Sequence, residues 1–200
     1  MDILSGNLYF ISNAFFEKVN DPFLKINYQE TKRPHYFALY DKKTKLFWMV
    51  PCSSKVAKYR GIIQKKKERH KAADAIQIVK IFDKESVLLF QDMFPTIAKY
   101  IDGQYIKGGQ AVRIADPNVI AELEKVAHKI INLLHRGVRF TPTQPDVLHI
   151  EQLRRETHGY YLHHPTHRSP VRRPLGPGGG AGNPTGGLAP PGHAKFLRGE

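Results

Sequence analysis

In the stretch Val50–Arg60, VPCSSKVAKYR, an apolar run gives way to two serines and then to three cations, Lys55, Lys58 and Arg60. Hydroxyls and ammonium groups at this spacing suit a phosphoryl group. If Ser53 or Ser54 caps a helix, the first helical amides and the positive end of the dipole face the point where the preceding strand ends, which favours an anion. Capping without catalysis is the commoner role for such serines. Covalent catalysis lacks its usual signs: there is no G-x-S-x-G elbow, and Cys52 has no identifiable histidine base. Hydroxyls, helix-end amides and Lys55 or Lys58 would instead stabilise charge developing on a phosphoryl group under attack.

More cations flank this stretch. Downstream, KYRGIIQKKKERHK carries Lys58, Arg60, Lys65, Lys66, Lys67, Arg69 and Lys71; upstream, NYQETKRPHYF carries Lys32, Arg33 and His35 with Tyr28 and Tyr36 interleaved. Single-stranded RNA binding uses this mixture, cations following the backbone while rings stack on bases. The lysine run alone reads equally well as a solvated helix face. The formal charge of +13 and pI near 9.8 favour a nucleic-acid partner. A DNA-binding regulator is the weaker reading, because neither helix-turn-helix nor zinc-finger spacing is present. His35 titrates near neutrality and could act as general acid or base, although a positioning contact is the simpler role.

Other classes are disfavoured by composition. No apolar stretch approaches the roughly 20 residues of a spanning helix, and the N-terminal MDILSGNLYF lacks the basic start and long apolar stretch of a signal peptide. A cytoplasmic protein without a membrane partner is expected. The single Cys52 excludes an intrachain disulfide or a cysteine-rich zinc site. Neither a cofactor nor a specific metal site is expected, the clustered His163, His164 and His167 lying on a Gly/Pro-rich chain.

The elements that must position these residues follow from apolar patterning. Asn7–Ser12 reads as a first strand; His35–Asp41 and Lys45–Pro51 read as a hairpin around Asp41-Lys42-Lys43-Thr44. Ala75–Phe82 and Ser86–Asp92 predict a second hairpin around Asp83-Lys84-Glu85. Asp116-Pro117 as cap and first position, Gly137 as stop, and Ile120, Leu123, Val126 or Ala127, Ile130 and Leu134 between them predict a long helix. Its His128 and His135 share a face and suit burial or a partner contact more than catalysis, and Glu122 and Glu124 read as surface charge. A helix beginning at Ser53 or Ser54 should run towards Arg69, with Val56, Tyr59 and Ile63 inward and Lys58, Lys65, Lys66 and Lys67 outward. Asp146–Arg154 predicts a last strand or short helix. Hairpins with interspersed helices indicate an α+β fold with a curved, mostly antiparallel sheet over residues 1–156. Residues 157–200, rich in Gly, Pro, His and Arg with Glu200 their only acid, are expected to form a disordered tail.

Four segments in order, LYFIS at residues 8–12, KRPHYFALY at 32–40, FWMVPCSSKVAKY at 47–59 and QDMFP at 91–95, resemble the toxins of type III toxin–antitoxin systems, the ToxN/AbiQ family, and most closely its CptN-like branch. The resemblance spans Asn7 to Leu153. It implies a compact α+β fold like the MazF/Kid-type toxins, with their barrel core, and a metal-independent endoribonuclease. In such enzymes the 2′-hydroxyl of the RNA displaces the 5′-oxygen of the next nucleotide and leaves a 2′,3′-cyclic phosphate. The implied partners are cellular RNA and a repeat-encoded RNA pseudoknot antitoxin, which the toxin processes and which inhibits it in a closed toxin–RNA assembly. Ser53 and Ser54 match the paired hydroxyls of the family motif, and either Lys55 or Lys58 matches its lysine. Tyr28, Lys32 and Arg33 fall where the family places RNA contacts. Phe15 is a departure, standing where members often have a tyrosine, and phenylalanine cannot transfer a proton. Beside this reading stands a non-catalytic RNA-binding regulator that grips RNA with the same surface.

Overall fold

The computed structural model describes residues 2–27 and 31–157, with side chains through Leu153. Within them the order is β1 (Leu8–Ile11), α1 (Asn13–Val19), β2 (Pro34–Asp41), β3 (Leu46–Ser53), α2 (Val56–Glu68), β4 (Ile76–Ile81), β5 (Lys84–Leu89), β6 (Phe94–Thr96), β7 (Ile101–Gln104), β8 (Ile106–Lys107), β9 (Gln110–Ala111), α3 (Pro117–His135) and α4 (Val147–Thr157). Every strand pairing among these residues is antiparallel, so the fold is α+β, as the patterning indicates. The main sheet runs β4-β5-β3-β2-β1-β7 and stays open, with β4 and β7 at its ends. β3 is its branch point: β2 lines one edge, while the other edge pairs first with β6 and then, at Cys52 and Ser53, with β5.

Successive strand residues point to opposite faces, and both faces of the central strands are covered. One carries Leu8, Tyr36, Trp48, Val50 and Leu88 against Leu123, Ala127, Ile130 and Leu134 of α3. The other carries Tyr9, Ile11, Phe37, Met49 and Phe94 against Phe15, Phe16 and Val19 of α1 and Ile150 of α4. α3 follows its sequence signals closely. The Asp116 carboxylate accepts from the Asn118 amide at 2.8 Å, Pro117 opens the helix, and Gly137 at φ +80° ends it. There the amides of Gly137 and Val138 donate to the Leu134 and Leu133 carbonyls, which closes the last turn.

The expected strand or short helix near the end is α4, and the tail expected from Thr157 onward lies, apart from Thr157 itself, outside the described residues. No helix among the described residues is long and apolar enough to cross a membrane.

Candidate functional site

At the end of β3 the chain turns sharply. Ser53 still belongs to the strand, opposite Val87 of β5. Lys55, at φ −82° and ψ 56°, then forms the centre of an inverse γ-turn in which the Ser54 carbonyl accepts from the Val56 amide at 2.9 Å. The helix therefore begins at Val56, with Lys55 rather than a serine at its cap position and no side-chain cap. This corrects the expected helix start. Ladder pairing commits the Ser53 backbone to the sheet, and its hydroxyl accepts from the Lys55 amide at 3.3 Å instead of from a helical one. The amides of Ala57 and Lys58, in the first turn, have no hydrogen-bond partner among the described residues, so the end of α2 retains donors for an anion.

Ser53, Ser54, Lys55 and Lys58 line a cavity of about 540 Å³ together with Lys32 and Arg33 from the loop before β2. Six residues singled out from two sequence segments are thus brought together. The structure adds Lys25, Ser86, Tyr105 and Lys107, which carried no sequence motif, as well as Tyr59, read from the sequence only as an inward-facing helix residue, and Lys84, read only as part of a turn. The cavity is strongly cationic, with Lys25, Lys32, Arg33, Lys55, Lys58, Lys84 and Lys107 against the single carboxylate of Asp83 on its lining.

Some of these charges are already engaged. Lys32 pairs with Asp102 at 2.6 Å and Lys107 with Asp83 at 3.8 Å, while Lys25 lies 3.9 Å from buried Asp92. The Arg33 guanidinium donates to the Cys52 carbonyl at 3.0 Å, which ties the early loop to the end of β3. Lys55, Lys58 and Lys84 have no carboxylate partner among the described residues, and the Lys58 ammonium sits 5.7 Å from the Tyr59 ring centre. Two of these three, Lys55 and Lys58, adjoin the serines in the chain.

Three titrations bear on the chemistry. Burial pushes the Cys52 thiol up to about 12, against smaller opposing effects of a Tyr36 backbone hydrogen bond and Arg33, so it is no thiolate nucleophile at neutral pH. Burial and the negative charge of Asp92 raise Tyr59 above the usual phenol range despite Arg33, so its hydroxyl keeps its proton. Burial also raises Asp92, with Lys25, a Gln91 hydrogen bond and Arg33 pulling the other way.

His35 requires a correction. It is fully buried between Phe16 and Phe94, with ring centroids 6.2 and 5.3 Å away. Burial first and the Arg33 charge second hold it down to about 3, so it is a neutral core residue without access to RNA. The pattern misled because β2 is buried on both faces, leaving no alternation to mark His35 as inward.

The outer cations of α2 do not reach the cavity. Arg60 pairs with Glu85 at 2.5 Å, and Lys65, Lys66, Lys67 and Arg69 lie towards the far end, Lys65 roughly 15 Å along the axis from Lys55 at about 1.5 Å per residue. Tyr28 lies outside the described residues. Phe15 is buried and stacks on Phe94 at 5.0 Å, while the hydroxyl of buried Tyr9 is bound to the Leu4 backbone. His135 meets Glu151 at 3.0 Å, and His128 lies 3.9 Å from Glu124, neither at the cavity. Among the described residues no group of three or more His, Cys, Asp or Glu side chains is placed to hold a metal ion. No family model matches this chain, and no curated protein matches it in sequence.

Proposed function

We propose that this chain is a metal-independent, sequence-selective endoribonuclease toxin of a type III toxin–antitoxin system, acting in the cytoplasm. The observation that carries the reading is the single cavity in which Ser53 and Ser54, uncommitted Lys55 and Lys58, and two unclaimed helical amides adjoin Lys32 and Arg33. These are the hydroxyls and cations quoted for the ToxN/AbiQ resemblance. The barrel core implied by that resemblance is in this proposal approximated by the open sheet, whose ladders carry register shifts at Phe10/Ile11 between β1 and β7 and at Phe37/Leu39 between β2 and β3, irregularities of the kind that curve a sheet.

In the proposed reaction the 2′-oxygen of the RNA attacks phosphorus and the bond to the 5′-oxygen breaks, leaving a 2′,3′-cyclic phosphate and a 5′-hydroxyl. The protein supplies orientation, charge and protons. Ser53 and Ser54 hold phosphate and ribose, and Lys55 or Lys58 neutralises the non-bridging oxygens as charge builds. Tyr59, a protonated phenol on the same lining, is assigned as donor to the departing 5′-oxygen, while the 2′-hydroxyl proton passes to water. The partners in this proposal are cellular RNA and a repeat-derived RNA pseudoknot antitoxin, which is processed at the same site and held with the toxin in a closed assembly.

A second reading, an RNA-binding regulator that does not cut, is favoured by one observation. Among the described residues no histidine lines the cavity, and the lining carboxylate, Asp83, is paired with Lys107, so they include no evident general base. Growth separates the two. Expression of the chain without antitoxin RNA should arrest growth, and Ser53→Ala/Ser54→Ala should relieve the arrest at equal protein level. Toxicity unchanged in the double variant would refute the assigned site.

A further inference from the structure

Beside the cationic cavity lies a larger one of about 1150 Å³, lined by Val79, Ile114 and Val119 together with Gln110 and Arg113. Phe82 and Asp83 line both cavities and so form the ridge between them. These two residues are the turn of the β4–β5 hairpin, whose last ladder pair is Ile81 opposite Lys84. Phe82 has φ +59°, and Asp83 is not among the residues of positive φ. In two-residue hairpin loops a first residue of positive φ is a position where glycine is preferred. A phenylalanine in that position is conformationally unfavourable. Nor does the ring serve the core: Phe82 is 44 % exposed. The Lys107 ammonium lies 5.8 Å from its ring centre and also 3.8 Å from Asp83.

We infer that Phe82 is a base-stacking platform for single-stranded RNA, and that the larger cavity receives the base of a nucleotide next to the phosphate held at Ser53 and Ser54. An exposed ring flanked by cations is the arrangement that binds unpaired nucleotides, because every base offers a face to stack on while the cations meet phosphates. The two cavities share Phe82 and Asp83 on their linings, so in this proposal a strand anchored by phosphate in one passes over the ring and sets its neighbouring base at the other. Gln110 and Arg113 offer hydrogen-bonding groups for base edges, and Arg113 has no carboxylate partner among the described residues. Sequence selectivity would then reside at the β4–β5 hairpin and the β9–α3 segment, apart from the cleavage chemistry. The inference rests on the RNA reading of the cationic cavity, which its test is built to separate.

The test compares the full chain with Phe82→Gly and Phe82→Trp in binding two uncleavable probes: a mixed-sequence 2′-O-methyl oligonucleotide, and an abasic oligomer with the same number of phosphates. Phe82→Gly should weaken binding of the base-bearing probe about tenfold, as loss of one stacking contact does. It should leave the abasic probe unaffected and should not lower the melting temperature, since glycine suits the turn. Phe82→Trp should retain affinity. If Phe82→Gly binds both probes like the parent, while Lys55→Ala weakens both, the hairpin platform is overturned and the phosphate site stands. The larger cavity would then be open to a protein partner. If the parent binds neither probe, the RNA reading fails and the platform with it.

Discussion

Helices α2 and α3 differ in what holds them. α3 has a side-chain cap, a glycine stop and five buried residues, among them Leu123, Ala127 and Ile130, wedged against the sheet. α2 has no side-chain cap and no fully buried residue; Val56, Tyr59, Ile62 and Ile63 rest half-covered on Ile76, Val87 and Leu89. α2 contributes little to the core, and in the proposed function its uncapped end, with Lys55 and Lys58 at the cavity, serves the ligand. The contrast separates the part of the molecule that makes the fold from the part that carries the proposed function.

Truncation tests that contrast first, with the largest expected effect. Leu123→Ala in α3 should cost about 3 kcal/mol of stability, in the range for buried leucine, while Ile63→Ala on half-buried α2 should cost roughly 1 kcal/mol. Denaturant midpoints at unchanged slope measure both. Equal losses would mean that α2 is as much a core element as α3, and the division would fail.

A smaller effect sharpens it on the core side. His35 is held down to about 3 in the folded chain against an ordinary value of 6.5. The folded state therefore stays neutral where the unfolded chain takes up a proton. Its contribution is intact above about pH 6.5 and is lost as pH falls from there towards 3, by up to about 1.4 kcal/mol per pH unit. The stability difference between the parent and His35→Met should accordingly shift with pH below 6.5 and be flat above it. A flat difference throughout would show that His35 is protonated or exposed in the folded protein.

The smallest effects belong to the outer face of α2. Lys65→Ala, Lys66→Ala and Lys67→Ala should each change stability by less than about 0.5 kcal/mol. Each should also alter the rate of RNA cleavage far less than Lys55→Ala does. A loss comparable to that of Lys55→Ala would extend the site along the helix, as the lysine run by itself suggests.

Legibility in the sequence follows the same division. α3 was readable because Asp116-Pro117, the apolar spacing and Gly137 agree, and the β2–β3 hairpin because Asp41 and Thr44 supply turn chemistry, the Asp41 carboxylate accepting from Lys43 and Thr44. The site was half readable. Its serines and Lys32, Arg33, Lys55 and Lys58 stand in two recognisable clusters, but Lys25, Lys84, Tyr105 and Lys107 are isolated residues brought in by topology. One signal for Lys107 was present: Gly108-Gly109, both at positive φ, form the turn between β8 and β9. The β4–β5 turn falls at Phe82-Asp83 rather than at Asp83-Lys84-Glu85, because a phenylalanine in the left-handed position carries no turn signal. α1 was not anticipated; its seven residues are too few for a helical period, and Asn20 at φ +50° ends it in place of a glycine.

The central claim is that the hydroxyl and lysine cluster at the end of β3 directs strand cleavage by the RNA's own 2′-hydroxyl. Its most direct test is incubation of the purified chain, freed of bound RNA and held in EDTA, with a long RNA whose product ends are then mapped chemically. The account predicts discrete fragments with 2′,3′-cyclic phosphate and 5′-hydroxyl ends, absent with Ser53→Ala/Ser54→Ala. RNA bound tightly but left whole would contradict it and make the cavity a binding site alone.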